Sequence, residues 1–198
     1  SPMRYILPHK RAEYEKKYDT VVRGGKSVFK QSDRERSLIY LITSGLLKRL
    51  ESSIHSFNLT LSKIQSKIDY TLDSVTKFDQ YSVELEDEKV LDDELEDFTV
   101  GDKVSIKLSD LDVIKWRQDL EEDLERINNI LIHSTSITSM RDQKLQQLKE
   151  LMMNKFTYPI NGDNKKVIIF TAYADTAKYL YEQLSSWALE NYQLYTAL

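Results

Sequence analysis

Apolar residues from Arg34 to about Phe78 fall on one helical stripe: Leu38, Leu41, Ile42, Leu46, Leu50, Ile54, Phe57, Leu61, Ile64, Ile68, Leu72 and Val75. Spacing of this kind predicts one long helix. Ser32 or Asp33 is placed to cap it, since a side-chain oxygen there accepts from a free backbone N–H. Beyond Leu50 the steps alternate between four and three, with one repeated four, the seam of a coiled coil. Such a helix spans about 65 Å at its ordinary rise. A single apolar stripe of that length needs a partner helix. Asp110–His133 supplies one, with Val113, Trp116 or Arg117, Leu120, Leu124, Ile127 and Leu131 on its stripe and Ser109 or Asp110 as cap. The expected arrangement is an antiparallel helical hairpin, closed across the segment 83–102. Within that connection Phe98–Leu108 has partial two-residue alternation and is expected to add a short hairpin strand.

The pattern changes after the Ser/Thr-rich break at Ser134–Ser139. Arg141–Phe156 reads as a third helix, and Pro159–Gly162 as a turn. Val167–Phe170 is an unbroken apolar run, the signature of a strand buried on both faces of a parallel sheet. Thr171–Tyr173 is then a turn. From Asp175 the apolar residues Ala177, Leu180, Tyr181, Leu184, Trp187 and Ala188 return to helical spacing. Tyr192–Tyr195 resembles a following strand. The fold class expected is mainly α: a long antiparallel helical hairpin followed by a truncated α/β unit of strand, helix and strand. Three regions are expected: residues 1–33, irregular apart from a short helix at Arg11–Tyr18; residues 34–140, the hairpin; and residues 141–198, the opening of an α/β lobe.

Composition narrows the classes. The 198 residues include five Gly and three Pro, few enough to favour long uninterrupted helices. There is no Cys, hence neither a disulfide framework nor a thiolate metal site. A reducing cytoplasmic setting is compatible with that. No apolar run approaches the roughly 20 residues of a membrane span. Charge is distributed unevenly beneath the net −4. Residues 1–67 carry 14 Lys and Arg against 6 Asp and Glu, whereas residues 83–102 carry 10 acids and only Lys89. The basic part suits either phosphate or plain solvation. The acidic run is expected to be a solvated loop, with an autoinhibitory mimic of phosphate as the alternative.

Two blocks carry a resemblance. Lys165–Leu198 resembles motif IV of superfamily 2 helicases, nearest to the Swi/Snf-like branch. There a VIIF-type strand precedes a small polar residue, an aromatic, and Asp-Thr opening a helix. The matching positions are Val167–Phe170, Thr171, Tyr173 and Asp175-Thr176. The Lys144-Leu145-xx-Leu148-xx-Leu151 pattern is similar to the helix that introduces the second RecA-like lobe of these motors. Arg34–Leu61, which contains LLKRLESS, is similar to the segment joining the two lobes in bacterial members. The resemblance implies a fragment of an ATP-dependent DNA helicase or translocase. Residues 1–33 would be the inter-lobe link, 34–140 a helical insertion, and 141–198 the start of lobe two. ATP and Mg²⁺ would bind the parent protein. The phosphate loop, acidic Mg²⁺ motif and arginine finger would lie outside this chain, so the chain alone is expected to have no catalytic residue and bind no cofactor. The expected partners are DNA and the remaining helicase lobes of the same polypeptide.

Candidate chemistry follows from the same positions. The resemblance places Thr171 and Tyr173 at the edge where motif IV residues touch nucleic-acid backbone or brace those that do. The alternative is that Thr171 and Asp175-Thr176 merely cap the helix. Lys63 and Lys67 share a helix face, with Lys48-Arg49 earlier on it, and form a candidate DNA track; a solvated flank is the plain alternative. Gly24-Gly25-Lys26-Ser27 invites a phosphate-loop reading, but Thr20 stands where the first glycine belongs, and no buried strand precedes it. His9, His55 and His133 are scattered without a second ligand at helical spacing, so no metal site is expected. Trp116 and Trp187 are expected as core anchors, and most of the 12 Tyr on apolar faces. A helical coiled-coil interaction module without motor function is the second class. A small α/β enzyme is the third, weakened by too few strands. A Gln-x-x-Gly-Arg-x-x-Arg segment downstream in the parent gene would favour the motor.

Overall fold

The computed structural model describes residues 2–21, 28–87, 99–100 and 105–198. The fold is mainly helical. In chain order the described elements are α1 (Arg11–Tyr18), β1 (Thr20–Val21), β2 (Val28–Phe29), α2 (Gln31–Ser52), α3 (Ile54–Asp87), β3 (Thr99–Val100), β4 (Ile106–Lys107), α4 (Val113–Thr135), α5 (Gln143–Thr157) and α6 (Ala174–Tyr192). Strands β1 and β2 pair antiparallel, as do β3 and β4, the latter within the stretch whose alternation predicted a hairpin strand. The phosphate-loop-like residues 24–27 and most of the acidic run lie outside the described residues. The chain forms two compact units, Ser1–Thr43 with Lys63–Asn128, and Ser44–Ser62 with Asn129–Leu198.

The first unit is built around Tyr5, Ile6, Tyr14, Val75, Phe78, Ile106, Leu108, Leu111 and Trp116. Its N-terminal segment, expected to be irregular, is ordered by backbone pairing. Ile6 bridges Leu111, the Leu7 N–H donates to the Asp110 carbonyl at 2.9 Å, and the Asp112 N–H donates to Tyr5 at 2.8 Å. Tyrosine hydroxyls complete the tie. Tyr14 donates to the buried Asp110 carboxylate at 2.7 Å and accepts from the Lys107 N–H at 3.1 Å. Asp110 is thus a core partner rather than the expected helix cap. The cap of α4 is Asp112, which accepts from the Lys115 N–H at 3.1 Å. Between α3 and α4, Arg117 is paired with Asp79, and Gln65 donates to Asn128 at 2.7 Å.

The single long helix expected from Arg34 onward is two helices. Ser53 interrupts it: its hydroxyl accepts the Ser56 N–H at 3.1 Å and so caps α3. A serine competes with the continuing helix by bonding backbone N–H groups itself. The start also differs, since α2 begins at Gln31, whose N–H donates to Asp19 at 2.8 Å. The stripe is buried or partly buried from Ile54 to Phe78 but largely bare along α2. Leu38, Leu41 and Ile42 are 46%, 67% and 55% exposed, and Ile39 and Tyr40 beside them are exposed too.

In the second unit α5 packs on α6 through Leu145, Met152, Phe156, Tyr179 and Leu184, with Trp187 and Leu194 partly buried against them. Asp142 caps α5 by accepting the Leu145 N–H at 3.1 Å, while its other oxygen accepts the Tyr179 hydroxyl at 3.0 Å. Burial and this bond push the Tyr179 phenol up from its ordinary value. Gln193, at φ 56°, ends α6 in the left-handed region and turns the chain so that the Leu194 N–H reaches the Ala188 carbonyl. The turn at Gly162 also requires positive φ, 56°.

Neither expected strand of this unit forms. Val167–Phe170 and Tyr192–Tyr195 pair with no other strand among the described residues. A strand exists only where a neighbour's backbone completes its ladder. The apolar run is also not buried on both faces. Exposure alternates instead, with Val167 38% and Ile169 39% against Ile168 79% and Phe170 91%. Among the tyrosines, Tyr5, Tyr14 and Tyr179 are core, whereas Tyr40, Tyr70, Tyr158 and Tyr195 are exposed.

Candidate functional site

The first turn of α6 is where charge and hydroxyl groups gather in the second unit. Tyr173 occupies the cap position with an extended backbone and makes no side-chain cap bond. The residues expected to cap this helix are engaged elsewhere. Thr171 donates its hydroxyl to the Tyr173 carbonyl at 3.0 Å, inside the turn. Asp175 accepts from Arg49 Nη1 at 2.9 Å. The Thr176 hydroxyl lies 2.8 Å from that of Ser52 and 3.0 Å from that of Ser53.

Arg49 is the centre of this arrangement. The same Nη1 donates to Ser56 Oγ at 3.0 Å, and the guanidinium carbon sits 4.5 Å from the centroid of the Tyr173 ring. A planar cation over a tyrosine face gains from the ring quadrupole, and Arg makes this contact better than Lys because its plane stacks. Ser53, Ser56 and Thr176 are buried, so their mutual hydrogen bonds remove an otherwise costly desolvation. Lys144 adds a cation by donating to the Glu51 carbonyl. The set offers positive charge, an aromatic face and hydroxyl groups. It pairs no nucleophile with a base, and suits binding or positioning rather than acid–base chemistry.

Sequence reasoning singled out Arg49 only as part of a lysine-rich face, and missed its partners. They lie 126 positions away in Asp175, and in Tyr173 two residues before it. Of the sequence candidates, Thr171 and Tyr173 belong to the second unit. Lys63 and Lys67 are exposed on the part of α3 that belongs to the first, where Lys67 Nζ lies 5.9 Å from the Tyr70 ring.

Two concave features also lie in the second unit. His55 stacks on Tyr179 with ring centroids 5.0 Å apart, at the edge of a shallow pocket of about 390 Å³ that Asn58, Ser139 and Gln183 also line. A larger apolar groove of about 790 Å³ runs between Met152 and Phe156 of α5, Leu180 and Leu184 of α6, and the two extended segments. No group of three or more His, Cys, Asp or Glu able to hold a metal occurs among the described residues. None of the helices there is long and apolar enough to cross a membrane. Comparison of the chain with models of protein families, with curated proteins and with solved structures finds no match.

Proposed function

We propose that this chain is part of an ATP-dependent DNA helicase or translocase of the Swi/Snf-like kind, contributing its inter-lobe helical region and the beginning of its second RecA-like lobe. The observation that carries the reading is contact between the two blocks of resemblance. Arg49, Ser52 and Ser53 of the LLKRLESS segment bond directly to Asp175 and Thr176 of the motif IV segment. Segments similar to adjoining parts of one motor are thereby packed together, although 123 to 126 positions apart.

Two further features support it. Asp79 pairs with Arg117 and Gln65 with Asn128, so α3 and α4 are matched in reverse order, as an antiparallel hairpin requires. Exposure alternates along both extended segments beside α6, less at Val167 and Ile169 than at Ile168 and Phe170 and less at Leu194 than at Tyr195, the two-residue period of strands in an incomplete α/β layer. In this reading ATP and Mg²⁺ are bound by other parts of the parent, which also supply the phosphate loop and arginine finger. Thr171, Tyr173, Lys63 and Lys67 face DNA, and the protein works in the cytoplasm.

The test is binding of a labelled DNA duplex by the chain across a salt series. The expected result is weak affinity that falls steeply with salt, reduced by Lys63→Glu with Lys67→Glu. ATP turnover by the purified chain is expected to be absent. Absence of DNA binding at low salt, or DNA-stimulated turnover by the chain alone, overturns the reading. A second reading, a helical interaction module without motor function, is favoured by the apolar residues exposed all round α2 from Leu38 to Ile42, because a helix apolar on every side is normally buried. Self-association through α2 without DNA binding decides for it.

A further inference from the structure

Tyr173 is held on one side and free at its tip. Its ring lies against the Arg49 guanidinium at 4.5 Å, and that guanidinium is itself fixed by Asp175 at 2.9 Å and by the fully buried Ser56 at 3.0 Å. The ring is half-buried, and its hydroxyl makes no hydrogen bond among the described residues. A clamped aromatic with an unspent O–H donor beside a cation is suited to one oxyanion at a defined place.

We propose that Arg49 is a positioning residue for Tyr173, holding the ring so that its hydroxyl donates to a single backbone phosphate of bound nucleic acid. The inference rests on the reading of this chain as part of a DNA motor, in which Tyr173 already faces nucleic acid; what it adds is the role of Arg49 and the hydroxyl as the contacting group. A contact of this kind fixes register on the backbone and carries no sequence information. Arginine is required rather than lysine, because the ring is held by the face of a plane and not by charge alone. Asp175 orients that plane and offsets its charge, so phosphate affinity at this point resides in the hydroxyl.

The test is a double-mutant cycle on the full chain, read by fluorescence anisotropy of a short labelled duplex over a salt series. Tyr173→Phe is expected to weaken binding by about tenfold or more, the range of one hydrogen bond to a charged group. Its salt slope should not change, because a neutral donor displaces no counterion. Arg49→Lys, which keeps the charge, should weaken binding similarly, with little further loss when added to Tyr173→Phe. Thermal melting of all four proteins separates this from a purely structural role, which would lower stability alike in both backgrounds and reduce binding alike in both. Unchanged binding by Tyr173→Phe, or an undiminished Arg49→Lys effect in the Tyr173→Phe background, overturns the inference while leaving the motor reading in place. No salt-dependent binding by the unmodified chain overturns both.

Discussion

The Ser53 hydroxyl lies 3.0 Å from that of Thr176, 123 positions later, and the same Ser53 oxygen caps α3 by accepting the Ser56 N–H at 3.1 Å. One side chain thus ends α2, starts α3 and bonds to the first turn of α6. Ser53→Ala removes the cap and leaves buried Thr176 with Ser52 alone. The expected cost is about 1–2 kcal/mol, read as a lower denaturation midpoint with little change in slope. Helical content by circular dichroism should hold or rise, because alanine propagates a helix that serine interrupts. An unchanged midpoint would show that the break is set elsewhere.

Asp142 and Tyr179 offer a second stability test. Asp142→Ala deletes the α5 cap and the acceptor of a buried phenol together, so a loss of about 2–3 kcal/mol is expected. Tyr179→Phe should cost about 1 kcal/mol. The double variant should cost less than the two added, since each single change breaks the same bond. Strict additivity in urea denaturation would count against that bond.

Alkaline pH should unsettle the first unit. Tyr5 is pushed up to about 12 by burial and by its hydrogen bond to Asp119. Tyr14 is also raised to about 12, by burial and by Asp110, against an opposing bond from the Lys107 N–H. Both phenols therefore favour the protonated folded state. Their contribution is complete below the ordinary tyrosine value of 10.0 and declines as pH rises from there through about 12. Tyr14→Phe should flatten the decline, as followed by circular dichroism against pH. A wild-type stability profile flat across that interval would contradict the burial of these hydroxyls.

Phe170 is 91% exposed despite its place in an apolar run. Phe170→Asp should change the stability of this chain by no more than about 0.5 kcal/mol, the usual range for an exposed position. Binding of a hydrophobic dye should fall. A loss of several kcal/mol would mean that the residue is buried in solution.

Much of the helical architecture was legible. The stripe Val113, Trp116, Leu120, Leu124, Ile127, Leu131 is turned inward along α4, and Arg141–Phe156 lies almost wholly within α5. These came through because helical spacing is a local property, repeated often enough to identify. The Ser53 break was equally local, a Ser three positions before the N–H it binds, but the surrounding apolar stripe continued across it and outweighed it. The strand at Val167–Phe170 failed for a different reason. An apolar run records a preference for burial between neighbours, and the ladder that turns it into a strand depends on another segment.

The candidate site was half visible. Thr171 and Tyr173 were found by their motif, and Arg49 by its charge, but nothing along the chain joins them. The amino-acid sequence on its own determined where helices form, which faces are apolar and where charge accumulates, because neighbouring side chains and backbone N–H groups settle those matters within a few turns. Tertiary structure alone decided that Arg49 clasps Tyr173 and Asp175, that Asp110 serves Tyr14 instead of a helix end, and that Leu38 to Ile42 remain bare. Those outcomes depend on which distant groups come within hydrogen-bonding or van der Waals reach, and such reach is created only when the chain packs.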